Sequence, residues 1–107
     1  MFNDLAKGVY EQGASVRAYD ACARAARARM SSEPENAAAL LLISYAAQLF
    51  VEAYDDQPLT AAAADEEYDQ FSRMIETLDS AYRDGSSEKK LDALNKVSLM
   101  LLTPRKS

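Results

Sequence analysis

Apolar residues recur in steps of three and four along most of the chain, the period of helices that each bury one face. Leu5, Val9, Gln12, Val16, Tyr19, Ala23, Ala26 and Met30 form one such seam. Ala61, Ala64, Tyr68, Phe71, Ile75, Leu78 and Tyr82 form a second, and Leu91, Leu94, Val97 or Ser98, and Leu101 a third. Turn-forming residues gather at Ser31-Ser32-Glu33-Pro34, Asp55-Asp56-Gln57-Pro58 and Asp84-Gly85-Ser86-Ser87. The pattern predicts four helices, at about 3–30, 33–54, 61–83 and 87–102. Short connections make consecutive helices antiparallel neighbours, so the expected fold is all-α: an up-and-down four-helix bundle, one domain over 1–107, that self-associates.

Boundary residues sharpen this reading. Ser32 with Glu35 three positions on has the form of a capping box, and Pro34 is tolerated in a first turn. Thr60 is placed to cap the third helix, helped by Asp65, Glu66 and Glu67 near the positive end of its dipole. Gly85 should end that helix, Ser86 or Ser87 should start the fourth, and Pro104 should stop it. Gly8 and Gly13 weaken the first helix by about 1 kcal/mol each relative to Ala, which allows fraying, a bend or a close neighbour.

The second helix departs from a simple amphipathic pattern. Sixteen consecutive residues, Asn36 to Val51, carry no formal charge. At about 100° per residue, Leu42, Ile43, Ala46, Leu49, Phe50 and Ala53 share one face, and Ser44, Gln48 and Glu52 make a thin polar stripe opposite. Leu40, Ala47 and Val51 add a second apolar face. One buried Leu, Ile or Phe contributes roughly 1.5–3 kcal/mol, so several left in water would forfeit a margin comparable to a whole domain's stability. Either flanking helices cover this surface or another chain does. Candidate partner-contacting residues on this helix are Leu40, Ser44, Tyr45, Ala47, Gln48 and Val51.

Charge is sorted along the chain. Residues 1–30 carry five basic and three acidic groups, residues 31–79 one basic and eleven acidic, and residues 80–107 six basic and three acidic. The acids of the third helix, among them Asp65, Glu66, Asp69 and Glu76, are candidates for a docking face toward a basic partner, against the plainer reading that basic terminal helices lie beside the acidic middle. Arg17, Arg24 and Arg27 make a basic strip on the first helix. The net charge of −5 and pI near 4.6 disfavour nucleic acid and anionic lipid, which reward Lys and Arg.

Candidate chemistry changes little. The chain has no His, so the commonest general base and metal ligand is missing, and with it the Glu-x-x-His pairs of di-iron bundles. Phosphate loops, zinc-spaced cysteines and a calcium loop are not found, and Glu52, Asp55 and Asp56 read as solvated acids rather than a cation site. Cys22 is single, which suits a reducing compartment and a small buried side chain. Met1 to Lys7 has no secretory pattern, and the uncharged stretch is shorter than the ~18–25 residues of a bilayer span, so a cytoplasmic, membrane-free chain is expected. Tyr19, Tyr68 and Tyr82 lie on seams and read as core or rim residues, whereas Tyr45 is placed to face a partner.

These readings lead to a non-enzymatic protein–protein interaction or regulatory protein, an adaptor or an assembly or secretion chaperone. Its expected partner is another protein, with a homodimer as the expected form, and no cofactor or metal. Two alternatives are an accessory subunit holding a hydrophobic ligand and an acidic inhibitor that imitates nucleic acid.

Overall fold

A computed structural model describes residues 1–102, all-helical with no strand among them. Helices α1 (Asn3–Glu11), α2 (Val16–Ser32), α3 (Ala37–Tyr54), α4 (Ala61–Asp84) and α5 (Ser87–Leu102) pack compactly, with a 3₁₀ turn over Pro34–Asn36 before α3. The all-α class is as expected, but the described residues form five α-helices rather than four. The stop expected at Pro104 lies outside the described residues.

The extra helix comes from a break in the first segment. Gly13 adopts φ +80°, the Gly13 amide donates to the Tyr10 carbonyl at 3.0 Å, and the Ala14 amide donates to the Val9 carbonyl at 2.9 Å. This pair of bonds closes a Schellman stop, which needs a left-handed residue and so favours Gly. Ser15 then caps α2, its Oγ accepting from the Ala18 amide at 3.2 Å. The chain reverses at once. Asp4 near the start of α1 pairs with Arg29 near the end of α2 at 3.1 Å, which makes the two helices antiparallel.

The other boundaries divide into those the residues announced and one they did not. Thr60 Oγ1 accepts from the Ala63 amide at 3.1 Å, Gly85 ends α4 at φ +84°, and Ser86 Oγ accepts from the Lys89 amide at 3.1 Å. The capping box at Ser32 does not form. Ser32 remains the last residue of α2, its hydroxyl donating to the Arg29 carbonyl. Arg29 Nε holds Glu33 at 2.8 Å, and the chain enters α3 through the 3₁₀ turn instead.

Helix α3 is the centre. Ala39, Leu40, Ile43, Ala46, Ala47 and Phe50 are buried, and its most extensive contact is with α2, whose inward face is Ala18, Tyr19, Cys22, Ala23 and Ala26. Small residues on both sides let two helix backbones approach, since interaxial distance follows side-chain size at the contact. Volume is restored by aromatics. Tyr19 stacks on Phe50 with centroids 3.8 Å apart and meets Phe71 of α4 edge-on at 5.2 Å. The backbones of α2 and α4 stay apart, and α1 lies against both.

Helix α1 is held by a buried carboxylate. Asp79 on α4 is fully buried and accepts from the Phe2 amide at 2.7 Å, while Met1 N and Arg83 Nε lie 3.2 and 2.7 Å from its oxygens. Phe2 is also buried, edge-on to Tyr82 at 5.3 Å, and the Tyr68 hydroxyl donates to the Ala6 carbonyl at 3.1 Å. Burial alone would raise the Asp79 carboxyl. The Phe2 amide and the neighbouring positive groups outweigh it and hold the carboxyl below the usual aspartate value.

Two stability effects follow. Truncating the central side chain in Leu40→Ala should cost about 2–5 kcal/mol in urea denaturation, because α3 is enclosed there on its own chain's side. Asp79→Asn should cost about 1–3 kcal/mol at neutral pH by leaving buried donors poorly matched. The wild-type carboxyl is depressed in the folded state, so its contribution is complete above the unfolded-chain value and disappears as pH falls through the lower folded one. Denaturation of the two proteins at pH 7 and again near the acid limit of folding should therefore show the Asn penalty shrinking.

Candidate functional site

Each residue proposed to meet a partner has a definite position. Leu40, Ser44 and Ala47 are buried, and Val51 is half-buried against the core, so the flank expected to reach a second chain is covered by this one. Ser44 is the reason. Its hydroxyl donates to the Leu41 carbonyl at 2.8 Å, which satisfies the polar group within the helix and lets this face turn inward. The solvent stripe is rotated to Leu41, Tyr45 and Glu52, with Gln48 half-buried at its side. Of the candidate residues on α3 only Tyr45 is exposed, and Leu41 lies exposed beside it.

The same rotation occurs on α5. Leu91, expected inward, points out, and the inward positions are Ala93 and Val97, with Leu94, Met100 and Leu101 partly covered. Lys90 helps to set this register, because its ammonium lies 5.0 Å from the centroid of the Tyr82 ring. The outcome is two apolar surfaces on helices that pack against each other. Leu41 (53% exposed) and Tyr45 (52%) stand on α3, and Leu91 (59%), Leu99 (66%) and Leu102 (77%) stand on α5. Leu99 belongs to the run Leu99 to Leu102, which holds more apolar residues than one helix face can bury, whereas Leu41 was missed as a candidate. The available signal was that Leu41 lies four residues before Tyr45, on the same side of the helix.

Asp65, Glu66, Asp69 and Glu76 are all exposed on α4. Asp69 pairs with Arg73 at 2.9 Å and Glu76 lies 3.6 Å from Arg83, which interrupts the run of negative charge. Asp65 and Glu66 make no ion pair among the described residues. The basic strip of α2 is likewise outward: Arg24 pairs with Asp20 on its own helix, and Arg17 and Arg27 are exposed. Ion pairs that join elements sit elsewhere, at Arg29–Asp4, at Lys89–Asp84 and around Asp79.

Interior chemistry is sparse. Among the described residues, no three Cys, Asp or Glu side chains converge as metal ligands. A crevice lined by Tyr19 of α2, Ala46 and Phe50 of α3, and Gln70, Phe71 and Met74 of α4 has a volume of about 10 Å³, room for about one water and far below the roughly 300–1,000 Å³ of a typical ligand pocket. Burial, reinforced by Asp4, pushes the Cys22 thiol up to about 12, which keeps it protonated and inert. Counted from Pro34 to Tyr54, the central segment is long and apolar enough to cross a bilayer by length and composition, although its uncharged part is shorter. In this fold α2, α4 and α5 pack against it, and α1 does not reach it.

Comparison with family models, curated proteins and solved structures finds no match for this chain. The reading of the site therefore rests on its own geometry. One property can be checked directly: Cys22 should react with a disulfide reagent only slowly in the native protein at pH 8, and rapidly once denaturant exposes it, as followed by thiolate release.

Proposed function

We propose that this is a non-enzymatic protein–protein interaction or regulatory protein that forms a homodimer, an adaptor or assembly chaperone rather than a catalyst. The observation that carries the reading is that, of the large apolar side chains left in water, Leu41 and Tyr45 stand on α3 and Leu91, Leu99 and Leu102 on α5, two helices in contact, while Met1 and Tyr10 are exposed at the start of the chain and on α1. Isolated exposed leucines are ordinary. Several on two packed helices give the apolar centre that an interface needs, and Tyr is a frequent anchor there. Gln48, Glu52, Asn95 and Lys96 supply polar surroundings on the same helices. The exposed acids Asp65 and Glu66 would then discriminate among partners by charge rather than contribute most of the affinity.

Sedimentation equilibrium over a wide concentration range tests this. The wild type should associate, while Leu41→Lys/Tyr45→Lys and Leu91→Lys/Leu99→Lys should keep their helical circular dichroism and lose association by at least about 30-fold, corresponding to about 2 kcal/mol for a central contact. These positions are exposed, so folding stability should move by no more than about 0.5 kcal/mol. A wild type that stays monomeric throughout, or variants that associate as strongly as it does, would overturn the reading.

A further inference from the structure

The apolar seam of the first thirty residues runs directly across the point where the backbone turns. Leu5 and Val9 on α1 continue through Gln12, the one polar member, to Val16, Tyr19, Ala23 and Ala26 on α2 in steps of three and four. A single straight helix would keep them all on one face. The reversal instead depends on two consecutive left-handed residues, Gly13 at φ +80° and Ala14 at φ +51°. Gly adopts that conformation freely. Ala does not, and the strain at Ala14 is relieved if the segment becomes helical.

Nothing that docks α1 depends on the turn itself. Phe2 and Asn3 bond Asp79, Phe2 packs on Tyr82, the Tyr68 hydroxyl reaches the Ala6 carbonyl, and Asp4 meets Arg29. Every one of these contacts can be made equally well to a second copy of the same surface. Straightening the turn gives up the Schellman bonds and the Ser15 cap and gains regular helical bonds in their place. The bent and straight forms are therefore closely matched, and short strained hinges of this kind favour exchange between chains.

We propose that the protein forms a domain-swapped dimer in which residues 12–15 become helical, α1 and α2 fuse into one helix, and α1 of each copy docks against α2 and α4 of the other. The occupant of the α1 cradle is then the same sequence from a second chain. This exchange uses the inside of the fold, so it stands or falls separately from association through α3 and α5.

Two hinge substitutions should move the equilibrium in opposite directions. A Cβ at Gly13 meets nothing within 4 Å, so Gly13→Ala acts through backbone conformation alone. It disfavours the bend and favours the helix, and should raise the dimer association constant by about tenfold for each of the two hinges. Ala14→Gly relaxes the bend and weakens the helix, and should lower it. Both are compared with wild type by sedimentation after refolding at high and low protein concentration. The exchange itself is read by cross-linking Tyr10→Cys/Tyr68→Cys in a Cys22→Ala background with a short bismaleimide, because the Tyr10 and Tyr68 rings of α1 and α4 lie 5.6 Å apart. In the swapped dimer the link joins two chains and survives as a double-mass band on a denaturing gel. In a dimer held only by α3 and α5 it stays within one chain. Links confined to single chains in the isolated dimer fraction, or an association constant unmoved by both hinge variants, would overturn the proposal. If Gly13→Ala fails to fold, Ala14→Gly alone decides: it must reduce the dimer.

Discussion

A helix that is apolar around most of its circumference has to cover most of that surface, and the arrangement of this chain follows from packing α2, α4 and α5 against α3, which leaves Leu41 and Tyr45 outside. Its small residues, Ala39, Ala46 and Ala47, meet the alanine-rich face of α2, so the two helices form the closest pairing in the fold. That closeness has a consequence for the rest of the core. Alanine fills little space, and large side chains must bridge to the third helix. Tyr19, Phe50 and Phe71 span from α2 and α3 to α4, whose backbone does not approach α2. The gap left between α2 and α4 is where α1 lies.

The placement of α1 explains the one fully buried carboxylate among the described residues. Asp79 sits on the inward face of α4, where a lone charge would be costly, and it is tolerated because the Phe2 amide, the Met1 amine and Arg83 surround it. An aspartate in that position gives the start of α1 a fixed address. Hydrophobic contact through Phe2, Leu5, Ala6 and Val9 supplies most of the burial, and the carboxylate sets the register in which those residues arrive. Arg29 does similar work at the other side, joining Asp4, Glu33 and the Met1 carbonyl.

Much of this was legible in the residues, because periodicity reports which helices exist and turn residues report where most of them end. Thr60 and Gly85 act where their chemistry says they should. Gly13 followed by Ser15 carried the same kind of information, a stop and then a start, but the apolar seam crosses both and argues for continuity. Local punctuation won over periodicity. Rotation about a helix axis was harder to read. Ser44 looks like a solvent residue until its hydroxyl is seen to bond its own helix, and Leu91 looks like a core residue until Lys90 is seen over Tyr82. Both depend on where neighbouring helices lie, which residue type along one helix does not specify. The candidate surface suffered accordingly: Tyr45 is exposed and Gln48 half-buried, whereas Leu40, Ser44 and Ala47 belong to the interior.

Charge limits which surfaces two copies can bring together. A chain with net charge −5 repels its own copies, and the cost is largest where acids would face acids, as along Asp65 and Glu66 on α4. At physiological ionic strength that repulsion is screened beyond about 8 Å. A contact made elsewhere on the molecule feels little of it. The exposed leucines of α5 lie on a helix where Lys89, Lys90 and Lys96 outnumber Glu88 and Asp92 by one, and α3 has no formal charge before Glu52. An apolar contact through these two helices would therefore meet less electrostatic opposition than one along α4, where Asp65 and Glu66 are exposed.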